Sequence, residues 1–341
     1  KKVAEDWADL LFNEKVTINL KNDEDTKALN KILQQNNAEV LINRGIEKSF
    51  AIGTGALVIS VQNIEQEENI LDITNARVKL EFVECKKIVP LTWENGKITK
   101  CAFVTTKYKK EQTYIYMAMH VIDEHGNYII KNHMFKGKYS SFVEAKEEEK
   151  EGFISKFETK SNNPWFAIIT PNICNNIDSE TPFGLSVYAN AIDTLKCLDN
   201  AYDALDNEVV IGRRRTFVAE EMMSFDQGEQ RMVFDPNDIS VYRMPKGFNK
   251  DSMIEHDDSN LRTEQYINSV NYQLNILSSK AGFGQERYKF DGQAIQTATG
   301  VISENSDMFR TIKKHEQILE DSLITIIKAI AYASTVLGNV S

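Results

Sequence analysis

The chain has 341 residues, with 40 Lys and Arg against 50 Asp and Glu, a formal charge of −10, and 42% hydrophobic residues. That length can bury a proper core and divide into two or three substructures, and no apolar run approaches the roughly 20 residues that span a bilayer. The acidic balance argues against tight, general nucleic-acid binding, which rests on Lys and Arg against phosphate, though not against DNA that passes without being held.

No signal-peptide pattern heads the chain, and its start at Lys1 leaves a processed or trimmed end open. Residues 1 to 55 read as helices. "VAEDWADLLFNEK" places Val3, Trp7, Leu10 and Leu11 on one face, and "TKALNKILQQN" repeats the spacing with Leu29, Ile32 and Leu33. "GTGALVIS" then stops a helix at Gly53 and Gly55 and opens a buried strand. The third glycine of a dinucleotide fingerprint is missing, so a phosphate site is not expected there.

From about 56 to 135 the pattern is antiparallel sheet, with "WENGK" and "DEHGN" as turns between β-rich runs. His120, His125 and His133 fall in this hairpin region. No matched carboxylate or cysteine accompanies them, so cross-strand or surface histidines are expected and no metal set. Cys85, Cys101, Cys174 and Cys197 are scattered without a CxxC pair, which suits reduced thiols in a cytoplasm. "EAKEEEKEG" (144 to 152) reads as a solvated excursion.

A regular helix is expected over 185 to 210, with Leu195, Leu198, Tyr202, Leu205 and Val209 as a heptad-like seam. Asp199, Asp203 and Asp206 form a neighbouring stripe, either the wet side of the helix or an acidic wall facing something it must not grip. An insert of short β runs follows, opened by Arg213, Arg214 and Arg215. A second helix with Ile267, Val270, Leu274 and Leu277 closes it, so two helices bracket a small head. "SSKAGFGQERYKFDGQAIQ" reads as a loop. The last helix starts near Ala294, carries Ile312, Leu319, Leu323, Ile326 and Ile330 on one face, and holds Gly300 in its first turns, where a bend is expected.

Five segments taken together, "VAEDWADLLFNEK", "GTGALVI", "VIDEHGNY", "YANAIDTLKCLDNAYDALDNE" and "ATGVISENSDMFRTIKKHE", resemble the portal proteins of tailed phages and prophages of Gram-positive bacteria. The resemblance covers nearly the whole chain in order. It implies an α+β fold and a homo-oligomeric ring, a dodecamer, seated at one capsid vertex as the head–tail connector. Double-stranded DNA crosses the central channel during packaging and ejection. It further implies a wing at 1–184, stem helices at 185–210 and 259–280, a small α/β clip at 211–258, a channel (tunnel) loop at 281–295, and a bent helix leading to a crown at 296–341. Gln285, Glu286, Arg287, Tyr288 and Lys289 would face DNA, Asp199, Asp203 and Asp206 would line the lumen, and Gly300 would mark the bend.

Arg213, Arg214 and Arg215 would meet the large terminase subunit, or else pair with the stem aspartates. The other implied partners are head-completion or adaptor proteins and the major capsid and scaffolding proteins, with no membrane. The implied location is the virion, after assembly in the bacterial host cytoplasm. No cofactor, metal or catalytic residue is implied, and no enzyme activity. Relatives begin earlier and continue into a long crown, so this sequence is expected to be the core of a longer protein. Where the resembled motif has an acidic residue, this chain has Gly300. Two other classes remain open: an adaptor of the phage particle without a DNA channel, and a nucleic-acid-processing enzyme, which would need clustered carboxylates at a cleft.

Overall fold

A computed structural model of the chain describes residues 1–12, 16–62, 65–67, 70–72, 76–109, 112–124, 126–138, 141–145, 154–212, 215–228, 231–234, 241–244, 254–257, 260–284, 287–288 and 298–336. Helices and mostly antiparallel sheets are interspersed, an α+β architecture. The chain divides into two units, Lys1–Asn190 with Ile302–Ser341, and Ala191–Val301.

The first unit begins with α1 (Lys2–Leu11), α2 (Asp23–Gln35) and α3 (Ala38–Ile52). Val3, Trp7 and Leu11 of α1 and Leu29 and Ile32 of α2 are buried, as their spacing predicts. Asn22 caps α2 by accepting the Glu24 N–H at 3.1 Å, and Asp23, Glu24 and Asp25 complement the positive end of the helix. Helix α3 stops at Gly53, whose φ of +107° suits glycine. A Cβ there would lie 2.3 Å from the Gly184 carbonyl oxygen. The glycine pair is therefore a helix stop in a tight backbone contact.

Strands β1 (Gly55–Gln62), β2 (Glu65–Glu67), β3 (Ile70–Asp72) and β4 (Arg77–Glu84) follow, then β5 (Ile88–Glu94), β6 (Lys97–Lys109), β7 (Gln112–Ile122), β8 (Tyr128–Lys138), β9 (Ser141–Glu144), β10 (Lys156–Glu158) and β11 (Phe166–Ile169). The expected single run of sheet is divided. One sheet has the order β11–β1–β4, with β11 returning from about 100 residues downstream. The other has the order β10–β8–β7–β6–β5, with β9 also on β8, and β2–β3 pair separately. Asn95 and Gly96, with φ of +49° and +75°, make the two-residue turn between β5 and β6. Asp123 holds the β7–β8 turn by accepting the Asn127 N–H at 2.7 Å.

His120 is opposite Ile130 and His133 opposite Met117, positions that put the two rings on opposite faces of the sheet. His120 shares a 2.6 Å hydrogen bond with Tyr128, and burial pushes its pKa down to about 3. Cys101, across from His120, is also buried, its thiol pushed up to about 12 by desolvation. His125 and most of the "EAKEEEKEG" run (146–152) lie outside the described residues.

The second unit holds α4 (Ile192–Ile211), strands β12 (Arg215–Val218), β13 (Ser224–Asp226), β14 (Arg231–Val233), β15 (Val241–Arg243) and β16 (Ile254–Asp257), and α5 (Thr263–Lys280). The α4 helix starts seven residues later than its periodicity predicts. Residues 185–188 are held by the first unit instead: the Val187 N–H donates to the Phe50 carbonyl at 3.0 Å and the Tyr188 hydroxyl to the Ala51 carbonyl at 2.8 Å. Within the insert β12 pairs β15 in parallel and β16 antiparallel. The last helix is α6 (Ala298–Val336). Residues 294–297, where its start was expected, lie outside the described residues.

Candidate functional site

Two helices and the segment after them carry the residues singled out in the sequence. Helices α4 and α5 run antiparallel and are clamped at both ends. At one end the Lys280 ammonium reaches both Asp193 carboxylate oxygens, at 2.9 and 3.1 Å, and the Thr194 hydroxyl at 2.9 Å. Asp193 is in the first turn of α4 and Lys280 in the last turn of α5, so each also complements its helix dipole. At the other end Glu208 accepts from the Arg262 guanidinium at 2.9 and 3.3 Å and from its backbone N–H at 3.0 Å. The Lys280 hydrogen bond holds the Asp193 carboxyl below its usual range, and the Arg262 hydrogen bond does the same for Glu208.

The facing surfaces are only partly filled. Val270, Leu274 and Leu277 of α5 are buried, but Tyr202 of the expected α4 seam is 60% exposed and Val209 is exposed too. Leu195, Leu198 and Tyr202 instead form one wall of an open groove of about 660 Å³, with Val270 and Leu274 as the other. Ile267, Tyr272 and Ile192 are also exposed.

At about 100° per residue, Asp199, Asp203 and Asp206 project opposite the side of α4 that carries Thr194, Ala201 and Glu208, and all three are exposed. Asp199 borders the groove shared with Val270 and Leu274 of α5, while Asp203 and Asp206 lie on the side of α4 away from the Glu208 clamp.

Arg215 is the described member of the arginine cluster. It donates from Nη2 to the Ile211 carbonyl at 3.0 Å and its guanidinium lies 5.9 Å from the Tyr242 ring. It satisfies the end of α4, and neither contact is to a stem aspartate. Arg213 and Arg214 lie outside the described residues.

The segment after α5 turns back sharply. The Gly282 and Phe283 N–H groups donate to the Ser279 and Ser278 carbonyls, with Gly282 and Gly284 at φ of +87° and +81°. Phe283 is 3% exposed, Tyr288 meets its ring edge-on at 5.8 Å, and the Arg287 guanidinium lies 5.7 Å from it. Packing thus anchors the start of this loop, the alternative to a free tip. Gln285, Glu286 and Lys289 lie outside the described residues.

Helix α6 contains Gly300 as its third residue. Farther along, His315 and Ser322 add polar fastenings to the apolar face that the spacing marks. His315 is buried between the rings of Trp7 and Phe50, 4.9 and 5.1 Å away and both edge-on. Its Nδ1 accepts the Asn172 N–H at 3.0 Å, and the Asn172 side chain donates to the Lys314 carbonyl at 2.7 Å. Burial, with the Lys314 charge beside it, pushes the His315 pKa down to about 4. Ser322 donates to the Ile168 carbonyl at 2.7 Å, and Leu319, Leu323, Ile326 and Ile330 are buried. The available signal was position: His315 lies one turn before Leu319 on the apolar face.

Among the described residues no cluster of His, Cys, Asp and Glu is arranged to hold a metal, and no helix is long and apolar enough to cross a membrane. The site is mechanical: clamped helices, a packed turn and an anchored long helix. The whole chain, residues 1–341, matches the family model described as phage portal protein, SPP1 Gp6-like. No curated protein matches it. The chain belongs to this portal family, a structural family, and its function is that of a phage portal protein.

Proposed function

From that membership we propose that the chain forms a closed ring, of twelve copies, at one capsid vertex, and that DNA crosses its channel during packaging and ejection. The match along residues 1–341 carries this reading. The α4–α5 pair supports it, because Tyr202, Val209 and the groove beside them leave apolar surface that a neighbouring copy would cover. A ring closes by heterologous contacts, one surface meeting a different one.

In this reading α4 and α5 are the stem, the 211–258 insert is the clip, residues 1–184 are the wing and 281–295 the channel loop. Asp199, Asp203 and Asp206 face the lumen and keep DNA sliding. The loop residues Gln285, Glu286, Arg287, Tyr288 and Lys289 approach the DNA, and α6, bending at Gly300, carries loop motion toward the crown. The clip arginines Arg213, Arg214 and Arg215 meet the large terminase subunit, Arg215 also satisfying the end of α4 through the Ile211 carbonyl. Head-completion, capsid and scaffolding proteins complete the vertex in a virion assembled in the cytoplasm of a Gram-positive host. The role is carried out without catalysis.

Native mass spectrometry of the full-length protein, paired with a packaging assay, tests the reading. A closed ring is expected. Replacing Gln285, Glu286, Arg287 and Lys289 by Gly and Ser, with the packed Tyr288 kept, is expected to leave the ring and its melting temperature nearly intact while blocking packaging. Monomer alone at every concentration overturns the ring, and normal packaging with the altered loop makes the loop a passive connector.

A further inference from the structure

The larger sheet of the first unit is covered along only part of its length. Phe103 of β6 and His120 of β7 meet the Phe166 ring of β11 at 5.5 and 5.7 Å, and Cys101, Ile130 and Met134 of the same face are buried too. Farther out β6 leaves the core. Thr105, Thr106, Lys107 and Tyr108 are all exposed, Tyr108 at 83%. The outer ends of β6, β7 and β8, with β9 beside them, form an overhang in water.

Register sets what that overhang carries. Lys107 is opposite Tyr114, Tyr114 opposite Lys136, and Lys136 opposite Val143. Strand positions alternate, so the next row of the same face has Lys109 opposite Gln112 and Lys138 opposite Ser141. Two adjacent rows therefore hold four lysine positions and no Asp or Glu. Glu144 is opposite Phe135, on the other face. The acidic run after β9 has both ends fixed nearer the core, where the Ala145 N–H donates to the Met134 carbonyl and the Ile154 carbonyl accepts from the Asn132 side chain.

This grid suits a phosphate backbone. Neighbouring rows lie about 7 Å apart, and Lys107 and Lys136, two strands apart, about 10 Å. Flexible lysines at such spacings reach phosphates without reading bases. The Lys107 ammonium lies 4.9 Å from the Tyr116 ring, and the Tyr114 hydroxyl between two lysines can donate to a phosphate oxygen. Protein–protein contacts are depleted in lysine, whereas phosphate contacts are built on it. The four positions stand out on a chain whose formal charge is −10.

We propose that this overhang is a second DNA contact, holding the phosphate backbone of duplex DNA without sequence preference. It belongs to the unit that contains neither α4 nor the loop after α5. The proposal goes beyond the channel reading, and its test separates the two.

The test uses full-length protein, with the ring identified by native mass, and a short fluorescein-labelled duplex of mixed sequence read by anisotropy. With four phosphate contacts, affinity should fall about a hundredfold between about 50 and 200 mM salt. Lys107→Gln, Lys109→Gln, Lys136→Gln and Lys138→Gln together should remove most of that dependence and weaken low-salt binding by roughly tenfold or more, at unchanged melting temperature. If melting falls, Lys107→Gln alone, at an exposed position, carries the test and should lower the salt slope by about one. A covalently closed circular duplex cannot thread a ring, so it should displace the labelled duplex as well as linear DNA does. A circle that fails to compete assigns the binding to the channel, which overturns the proposal and leaves the channel reading standing. Wild-type binding by the lysine variants, or none by the wild type at low salt, overturns it as well. Polyglutamate that competes as well as the duplex makes the face a seat for an acidic protein, and tighter binding of single-stranded DNA makes it a stacking site; either result overturns the duplex assignment.

Discussion

Two regions hold their helices in opposite ways. Helix α6 sits on the first unit through His315, Leu319, Ile326 and Ile330, all buried, with backbone groups at Asn172 and Ile168 satisfied. The α4–α5 pair is fastened by ion pairs that include Lys280 and Arg262, while Tyr202, Val209 and Ile267 remain in water. The first arrangement is complete in one chain, because burial and polar satisfaction close together. The second is half of an interface, since exposed ion pairs contribute little and exposed apolar groups contribute only when covered.

The sharpest way to break this comparison is to truncate one aromatic in each region. Trp7→Ala should cost about 3–5 kcal/mol in denaturant unfolding, because its ring is fully buried beside His315. Tyr202→Ala should stay within about 0.5 kcal/mol for the monomer and show its effect in ring assembly. Equal losses would erase the distinction.

Acidification should come next. The folded pKa of His315, about 4, lies below the ordinary 6.5, so the unfolded chain binds the proton more readily. Its contribution is fully present above pH 6.5 and is lost as pH falls toward 4, amounting to about 3 kcal/mol. His120 acts in the same direction, so the measurement is the difference between wild type and His315→Gln across pH 4–7. Identical pH profiles would remove His315 from the account of how α6 is held.

At the turn after α5, Phe283→Ala should lower stability by about 3 kcal/mol or more. Arg287→Ser, at an exposed position, should change melting by an amount near the error. A large effect of Arg287→Ser would make the loop tip structural.

Smaller still are the clamps. Asp193→Asn and Glu208→Gln should weaken the α4–α5 pair slightly at low salt, and the difference should vanish in 1 M salt, where the Debye length is about 3 Å. The smallest effect on folding belongs to the triple change of Asp199, Asp203 and Asp206 to Asn. Monomer melting should not move, while DNA retention by the assembled ring should rise. Unchanged retention would leave the stripe as an ordinary wet face.

Much of this was legible in the sequence. Spacings of three and four placed Val3, Trp7, Leu29 and Ile32 on the buried sides of α1 and α2, because a helix repeats every 3.6 residues wherever it packs. Asn95-Gly96 announced its turn through the positive φ that both positions need. Motif order along the chain pointed to the family that the full-length match then supplied. The α4 seam was read less well. Apolar spacing marked Tyr202 and Val209 as packed, yet α5 covers a neighbouring face, and local spacing does not say which partner will arrive.

What the sequence by itself determined is therefore what depends on near neighbours: helix and strand periods, turns at Gly and Asn, and the order of the elements. Tertiary structure alone decided where distant segments meet. It brought β11 back to β1 across more than 100 residues, drew residues 185–188 to the Phe50 and Ala51 carbonyls, and buried His315 against Trp7 from 308 positions away. Each of these hangs on a partner that no local window contains. A buried polar group is tolerated only where such a partner satisfies it, so the seat of His315 could be set only by the folded chain.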